Sequence, residues 1–250
     1  MSLSNAAAQS VISPSPVTRF VIYSHARSGS SMLQRALREH PAICAYGESL
    51  HPGTIQKHLP GYAPGMDPVP MIESHLFSPR RPEQQAVGFK FFPEHADRHT
   101  SLYPVWAWLK KQTSLHFICL YRENLLRYHV SNLIARLQGR WEAHTPDEVT
   151  RITVPVDPVA AVRDFEYRLR TRLWARMNLP QERVLELQYE QIAEDPQAFL
   201  RLAQLHLGVE VRDLPVTILR QELRQLPDII ENYDELVRRW RDTPWACFLE

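Results

Sequence analysis

Lysine is scarce in this 250-residue chain, and its only examples are Lys57, Lys90, Lys110 and Lys111. Arginine therefore supplies nearly all of the positive charge, and the formal net charge is +1. So small a net charge gives no bulk attraction to nucleic acid or to an anionic membrane, and any anion site must be local. A lysine that lies inside an apolar segment becomes a candidate for a special role.

Cysteines are few, and long apolar runs are lacking. Cys44, Cys119 and Cys247 are widely spaced, without a CxxC pair or a histidine at zinc-ligand spacing, which disfavours a disulfide framework or a metal site. No run approaches the roughly 20 apolar residues of a membrane helix, and residues 1–17 have neither a basic nor an apolar leader segment. We therefore expect a cytoplasmic protein with a disordered segment, 1–17, and a single domain, 18–250.

Apolar runs of strand length alternate with segments of helical period, which predicts an α/β fold with a mostly parallel central sheet flanked by helices. The expected strands are 20–23, 43–46, 87–92, 116–121 and 184–187. The expected helices are 30–39, 102–111, 124–140, 158–177 and 196–207. The result would be a P-loop-like, three-layer domain.

Some segments depart from this rhythm. Residues 51–85 and 141–158 are long and rich in proline, and loops of that length are usually lids, binding loops or disordered segments. An arginine-rich run within 163–176 is interleaved with Asp164 and Glu166, which predicts a solvated helix face.

The most informative segment is 20–33, an apolar strand followed by a turn of small residues and the start of a helix. Such a turn aims unpaired backbone N–H groups and the positive end of the helix dipole at one point, where a phosphate binds well. Gly29 would let the backbone approach the anion, Ser30 and Ser31 would add hydroxyl donors, and Arg27 adds a fixed charge. The alternative is an ordinary strand-to-helix turn with serine caps.

This segment lacks the lysine of the ATP-binding pattern GxxxxGK[ST]. In register with that pattern, Ser24 replaces the first glycine and Ser30 replaces the lysine, while Gly29 and Ser31 fit. Kinases and NTPases need the lysine and Mg²⁺ to manage the charge of a γ-phosphoryl group. The pattern thus favours a donor with a 5′-phosphate that is not ATP.

The run RSGSS at 27–31, followed by His40-Pro41 and Gly47-Glu48, resembles the 5′-phosphosulfate-binding segment of sulfotransferases that use 3′-phosphoadenosine 5′-phosphosulfate (PAPS). It is most similar to the tyrosylprotein and nodulation-factor branches of that family. The resemblance implies donor contacts from Arg27, Ser28, Gly29, Ser30 and Ser31. It also implies adenosine 3′,5′-bisphosphate as the second product and no metal ion.

A second segment, 121–131, is similar to the family's 3′-phosphate motif, which implies that Arg122 and Ser131 hold that phosphate. In many members the two residues are one position closer than they are here. The strand ending at Tyr189 resembles a family strand whose tyrosine lies near the adenosine. Alternatively, Tyr189 is a core tyrosine with its hydroxyl at the surface. Arg122 could alternatively form a surface ion pair.

The resemblance further implies a catalytic glutamate at Glu48, as general base. His51 is the rival base, because the cytosolic branch of the family uses a histidine, and His25 is a weaker candidate. Lys90 lies in the apolar run GFKFF, where a lysine either points to solvent or meets a buried anion. We assign it, with Arg27, to stabilising the leaving group.

The expected function is thus sulfuryl transfer from PAPS to an acceptor hydroxyl, and the nodulation-factor likeness favours a saccharide or lipooligosaccharide as the acceptor. Two alternatives stay open: a phosphotransferase with a degenerate P-loop, and a nucleotide-binding interaction protein without catalysis. Turnover with the donor would separate them, because fold alone does not decide chemistry.

Overall fold

The computed structural model describes residues 17–145, 151–218 and 224–250, so the predicted disordered segment lies outside the described residues except for Val17. Within these ranges five strands form one parallel sheet in the order β2-β3-β1-β4-β5. The strands are β1 (Thr18–Ser24), β2 (Ile43–Glu48), β3 (Ala86–Phe91), β4 (His116–Tyr121) and β5 (Val184–Gln188). The predicted α/β fold with a parallel sheet is confirmed.

Helices connect the strands and cover the sheet. They are α1 (Ser30–Arg38), α2 (Ile55–His58), α3 (Val69–His75), α4 (Pro104–Lys110), α5 (Leu125–Gln138), α6 (Pro158–Asn178), α7 (Tyr189–Glu194), α8 (Pro196–His206) and α9 (Tyr233–Trp240). The five helices expected from the sequence are confirmed as α1, α4, α5, α6 and α8, with ends shifted by no more than a few residues. The shorter helices lack the length that makes a periodic pattern visible.

The alternation of side chains along β1 builds the three layers. Phe20 and Ile22 pack on one face with residues of α1 and α8, such as Leu37 and Leu200. Val21 and Tyr23 point to the opposite face of the sheet and pack against α4 and the C-terminal end of α6. A strand buried on both faces reads as a continuous apolar run, which is why the sequence predicts it well.

A third apolar cluster joins α5, α6 and α9 beside the sheet, with Phe165 and Trp240 in ring contact at its centre. A parallel bridge between Val154 and Ile230 fixes the C-terminal segment to this layer. The cluster holds α5, which begins just after β4, against the carboxyl edge of the sheet.

The prediction of a lid or disordered loop is wrong for much of 51–85. This segment contains α2 and α3, and Leu59, Ile72 and Leu76 are fully buried against the sheet. Apolar side chains between the prolines and glycines give the segment enough surface to bury. Of the other irregular stretch, 141–158, residues 146–150 lie outside the described residues.

Candidate functional site

The turn between β1 and α1 has the strained backbone expected of an anion-binding loop. Gly29 caps α1 with φ 84°, and Arg27 is the single non-glycine among the described residues with positive φ, at 63°. A non-glycine residue in that region costs about 1–3 kcal/mol and persists where the surroundings fix it, typically at functional sites. A Cβ atom at position 29 would also lie 2.9 Å from the Tyr189 ring. Gly29 is thus required twice, by conformation and by space.

A cavity of about 780 Å³ opens at the carboxyl edge of the sheet, above this loop. Its size is that of a small-molecule site. Most residues expected from the sequence line it: Arg27, Gly29, Ser30, Ser31, Glu48, His51, Arg122, Ser131 and Tyr189. Ser28, in the same loop, does not line the cavity, because it is 1% exposed and its hydroxyl donates to the His25 carbonyl at 2.7 Å.

The side chain of Lys90 extends from β3 toward the phosphate loop and Glu48. Alternation on β3 places Phe89 and Phe91 on the opposite face, so the Lys90 side chain, 3% exposed, points toward the start of α1. Its Nζ lies 3.0 Å from Glu48 Oε1 and donates to Ser31 Oγ at 3.0 Å. An irregularity in β2 brings Glu48 opposite Lys90 in the strand register. The anion that the buried Lys90 meets in this structure is the half-buried carboxylate of Glu48.

A hydrogen bond joins the two predicted phosphate sites, because Arg27 of the first contacts Ser131 of the second. Arg27 Nε donates to Ser131 Oγ at 3.0 Å, and the same guanidinium donates to the Trp141 carbonyl. Arg122 stacks over the Tyr189 ring, 4.6 Å from its centroid. Ser131 thus contacts Arg27, and both residues border the same cavity as Arg122, with which Ser131 is expected to hold the 3′-phosphate.

His51, the rival base, is exposed at the cavity rim, and its Nδ1 accepts a hydrogen bond from the Gly53 N–H at 3.0 Å. A neutral imidazole that accepts at Nδ1 carries its proton on Nε2. In this arrangement Nε2 is a hydrogen-bond donor, which does not suit a general base.

A buried polar cluster behind the cavity was missed by the sequence reasoning. His25 Nδ1 lies 2.9 Å from Glu94 Oε1 and its Nε2 lies 2.8 Å from Thr171 Oγ1, while Arg168 pairs with Glu94 and, at 2.9 Å, with Asp164. Burial lowers the pKa of His25, which keeps the ring neutral. Burial alone would raise the pKa of Glu94, but His25 and Arg168 hold it well below its usual range.

This cluster corrects the prediction of a solvated helix face for Arg168, which is only 8% exposed, whereas Arg163, Arg170 and Arg176 of the same run are exposed as expected. A buried guanidinium is tolerated where carboxylates pair with it. One signal was available in the sequence: Glu94 and His95 follow directly after the predicted strand β3, at the edge where the other site residues lie.

The order of the strands gives the two halves of the cavity different side chains. The phosphate loop follows the central strand β1, while Arg122 and Tyr189 follow β4 and β5 on one side. Glu48, Glu94 and His95 follow β2 and β3 on the other side. One half thus offers a cation and an aromatic ring, and the other half offers carboxylates and imidazoles.

In residues 17–145, 151–218 and 224–250, no group of three or more His, Cys, Asp or Glu side chains could hold a metal ion. Over the same part of the chain, none of the helices has the length and apolarity needed to cross a bilayer.

Comparisons with known proteins bear on the family. No family model matches the chain. The chain is 26% identical to nodulation protein H of Rhizobium tropici over 267 aligned residues, which cover 96% of this chain and 95% of that protein. Its fold matches the crystal structure of a sulfotransferase from Alicyclobacillus acidocaldarius with a TM-score of 0.50, at 16% identity, over 94% of this chain and 95% of the other. These likenesses agree with the resemblance of the motifs to sulfotransferases, and the structural match shows that the two chains share a fold.

Proposed function

We propose that this protein transfers the sulfuryl group of PAPS to a hydroxyl group of an acceptor. The observation that carries the proposal is that one cavity is lined both by a phosphate loop without the ATP-binding lysine and by Glu48, which pairs with the buried Lys90. The loop suits a 5′-phosphate. Beside it, the Glu48 carboxylate suits removal of a proton, and the Lys90 ammonium suits stabilisation of negative charge on a leaving group.

The residues present fit the donor. The N-terminus of α1 and the hydroxyls of Ser30 and Ser31 offer donors to the 5′-phosphosulfate, with Arg27 beside them. Arg122 and Ser131 would hold the 3′-phosphate, and Tyr189 would lie beside the adenosine. Protein cations supply the neutralising charge that a kinase takes partly from Mg²⁺, so donor binding needs no metal.

The proposed reaction is an in-line displacement at sulfur. The acceptor oxygen forms a bond to sulfur while the bond from sulfur to the bridging phosphate oxygen breaks, and adenosine 3′,5′-bisphosphate leaves. Glu48 takes the hydroxyl proton, and Lys90 and Arg27 stabilise the charge that develops on the departing oxygen.

Glu48 and Lys90 neutralise one another in the structure, at 3.0 Å. A donor anion that reaches Lys90 would replace Glu48 as its counter-ion and leave the carboxylate free to accept a proton. The arrangement therefore favours binding of the donor before the acceptor reacts. The ion pair also keeps Lys90, which is nearly inaccessible to water, compensated when no donor is present.

The acceptor is proposed to be a saccharide or lipooligosaccharide, following the resemblance of the loop to the nodulation-factor branch. The deciding experiment incubates the protein with ³⁵S-labelled PAPS in EDTA and a panel of saccharides, phenols and tyrosine peptides. Transfer of label to a hydroxyl, with release of the bisphosphate, is expected. Mg²⁺-dependent consumption of ATP without sulfuryl transfer would favour the phosphotransferase, and nucleotide binding without any turnover would favour an interaction protein.

A further inference from the structure

His95 lies in the short 3₁₀ turn Pro93–Ala96 that follows β3, on the half of the cavity opposite to Arg122 and Tyr189. Neither the motifs nor the comparisons give it a role. It shares this wall of the cavity with Glu48, His51, Phe92 and Glu94. Because Glu48 is the proposed base, this wall is where the acceptor has to lie.

The other titratable groups of the wall are already engaged within the protein. Glu48 pairs with Lys90, and Glu94 Oε1 contacts His25 and Arg168. His51 accepts the Gly53 N–H through Nδ1.

Neither ring nitrogen of His95 makes a hydrogen bond to a residue in the described ranges. Its Nδ1 is buried, as is the unpartnered Glu94 Oε2, so Nε2 is the ring nitrogen that can reach the cavity. An unpartnered ring nitrogen on the wall of a ligand-sized cavity calls for a ligand or a water molecule as its partner.

The ring of His95 is also held in place and uncharged. It packs edge-on against His51, with ring centroids 5.1 Å apart, and in a tilted arrangement against Phe92, with centroids 5.3 Å apart. Burial lowers the pKa of His95, so at neutral pH one ring nitrogen has a lone pair. A rigid, neutral hydrogen-bond acceptor suits recognition of a hydroxyl donor.

We infer that His95 is an acceptor-binding residue, whose ring accepts a hydrogen bond from a hydroxyl next to the one that is sulfated. The reacting hydroxyl has a single proton, which goes to Glu48, so a further O–H group must satisfy His95. This inference rests on the proposed function, since it takes the acceptor to be the molecule on this wall.

The test compares His95→Phe, which keeps an aromatic ring among aromatic neighbours, with His95→Gln and a control, His99→Phe. His99 is exposed and does not line the cavity. The probes are methyl β-glucoside, which has neighbouring hydroxyls, and cyclohexanol, which has one. Each probe is titrated by calorimetry into enzyme saturated with adenosine 3′,5′-bisphosphate, and its sulfation by labelled PAPS is followed where it occurs.

Wild type should bind the glucoside more tightly than cyclohexanol, and His95→Phe should weaken glucoside binding by roughly tenfold, the size of one lost hydrogen bond. Cyclohexanol binding, bisphosphate affinity and slow hydrolysis of PAPS should stay unchanged, and His95→Gln should recover part of the loss. The inference is overturned if wild type does not prefer the glucoside, or if His95→Phe weakens both probes or the bisphosphate equally. Failure of the proposed function itself looks different, because wild type would then neither bind the bisphosphate nor hydrolyse PAPS.

Discussion

Glu48→Gln is the substitution whose outcome follows most closely from the geometry. The change keeps the shape of the side chain and removes both its charge and its ability to take a proton. Two effects follow, because Glu48 is both the proposed base and the counter-ion of Lys90, 3.0 Å away. Turnover should fall by roughly 10²- to 10⁴-fold, the range for loss of a positioned general base.

Binding of the donor product should move in the opposite direction. Without the carboxylate, Lys90 is free to pair with the incoming anion and no longer has to exchange one partner for another. Glu48 is 34% exposed, so solvent screening limits its pairing with Lys90 to about 1 kcal/mol, the upper value for an exposed pair. Affinity for adenosine 3′,5′-bisphosphate should therefore rise, by about fivefold at most.

Calorimetric titration of the bisphosphate and steady-state turnover with labelled PAPS measure the two effects separately. Glu166→Gln, on the exposed side of α6, is the matched control and should change neither. Near wild-type turnover in Glu48→Gln would refute its role as base. Weaker binding of the bisphosphate would refute the competition between Glu48 and the donor for Lys90.

Two further substitutions test the donor site and the buried cluster. Arg122→Ala should weaken the bisphosphate by on the order of 2 kcal/mol but leave adenosine 5′-phosphate nearly unchanged; equal losses would give Arg122 another role. Burial lowers the pKa of His25, so below about pH 6.5 the unfolded chain binds more protons and the free energy of unfolding falls as the pH is lowered. Thermal midpoints between pH 7.5 and 5 should show this slope, and an equally steep slope in His25→Gln would contradict it.

The sheet and the phosphate loop were predictable because their signals are local. A strand buried on both faces is a run of apolar residues, as in Phe20 to Tyr23, and the turn after it is marked by Gly29 and its serines. The placement of Arg27, Glu48 and Arg122 at one edge also follows from sequence, since the carboxyl ends of parallel strands meet there. The structure adds the bond between Arg27 and Ser131, which joins residues 104 positions apart.

What the sequence could not predict depends on contacts between distant segments. Nothing local marks Arg168 as buried, because its two carboxylate partners include Glu94, 74 residues away. The sequence does place His95 just after β3, but the absence of a hydrogen-bond partner for its ring within the described ranges is visible only when the neighbours are placed. The sequence also could not predict that the Ser28 hydroxyl turns inward and donates to the His25 carbonyl.

Titration of adenosine 3′,5′-bisphosphate into the protein in EDTA, with ATP and Mg²⁺ as the comparison, tests the central claim most directly. We expect saturable binding of the bisphosphate without metal, with a stabilisation of roughly 2.7 kcal/mol at a hundredfold excess over the dissociation constant. The thermal midpoint should rise accordingly, while ATP with Mg²⁺ should bind more weakly. Tight binding of ATP with Mg²⁺ and no binding of the bisphosphate in EDTA would contradict the assignment of this cavity to PAPS.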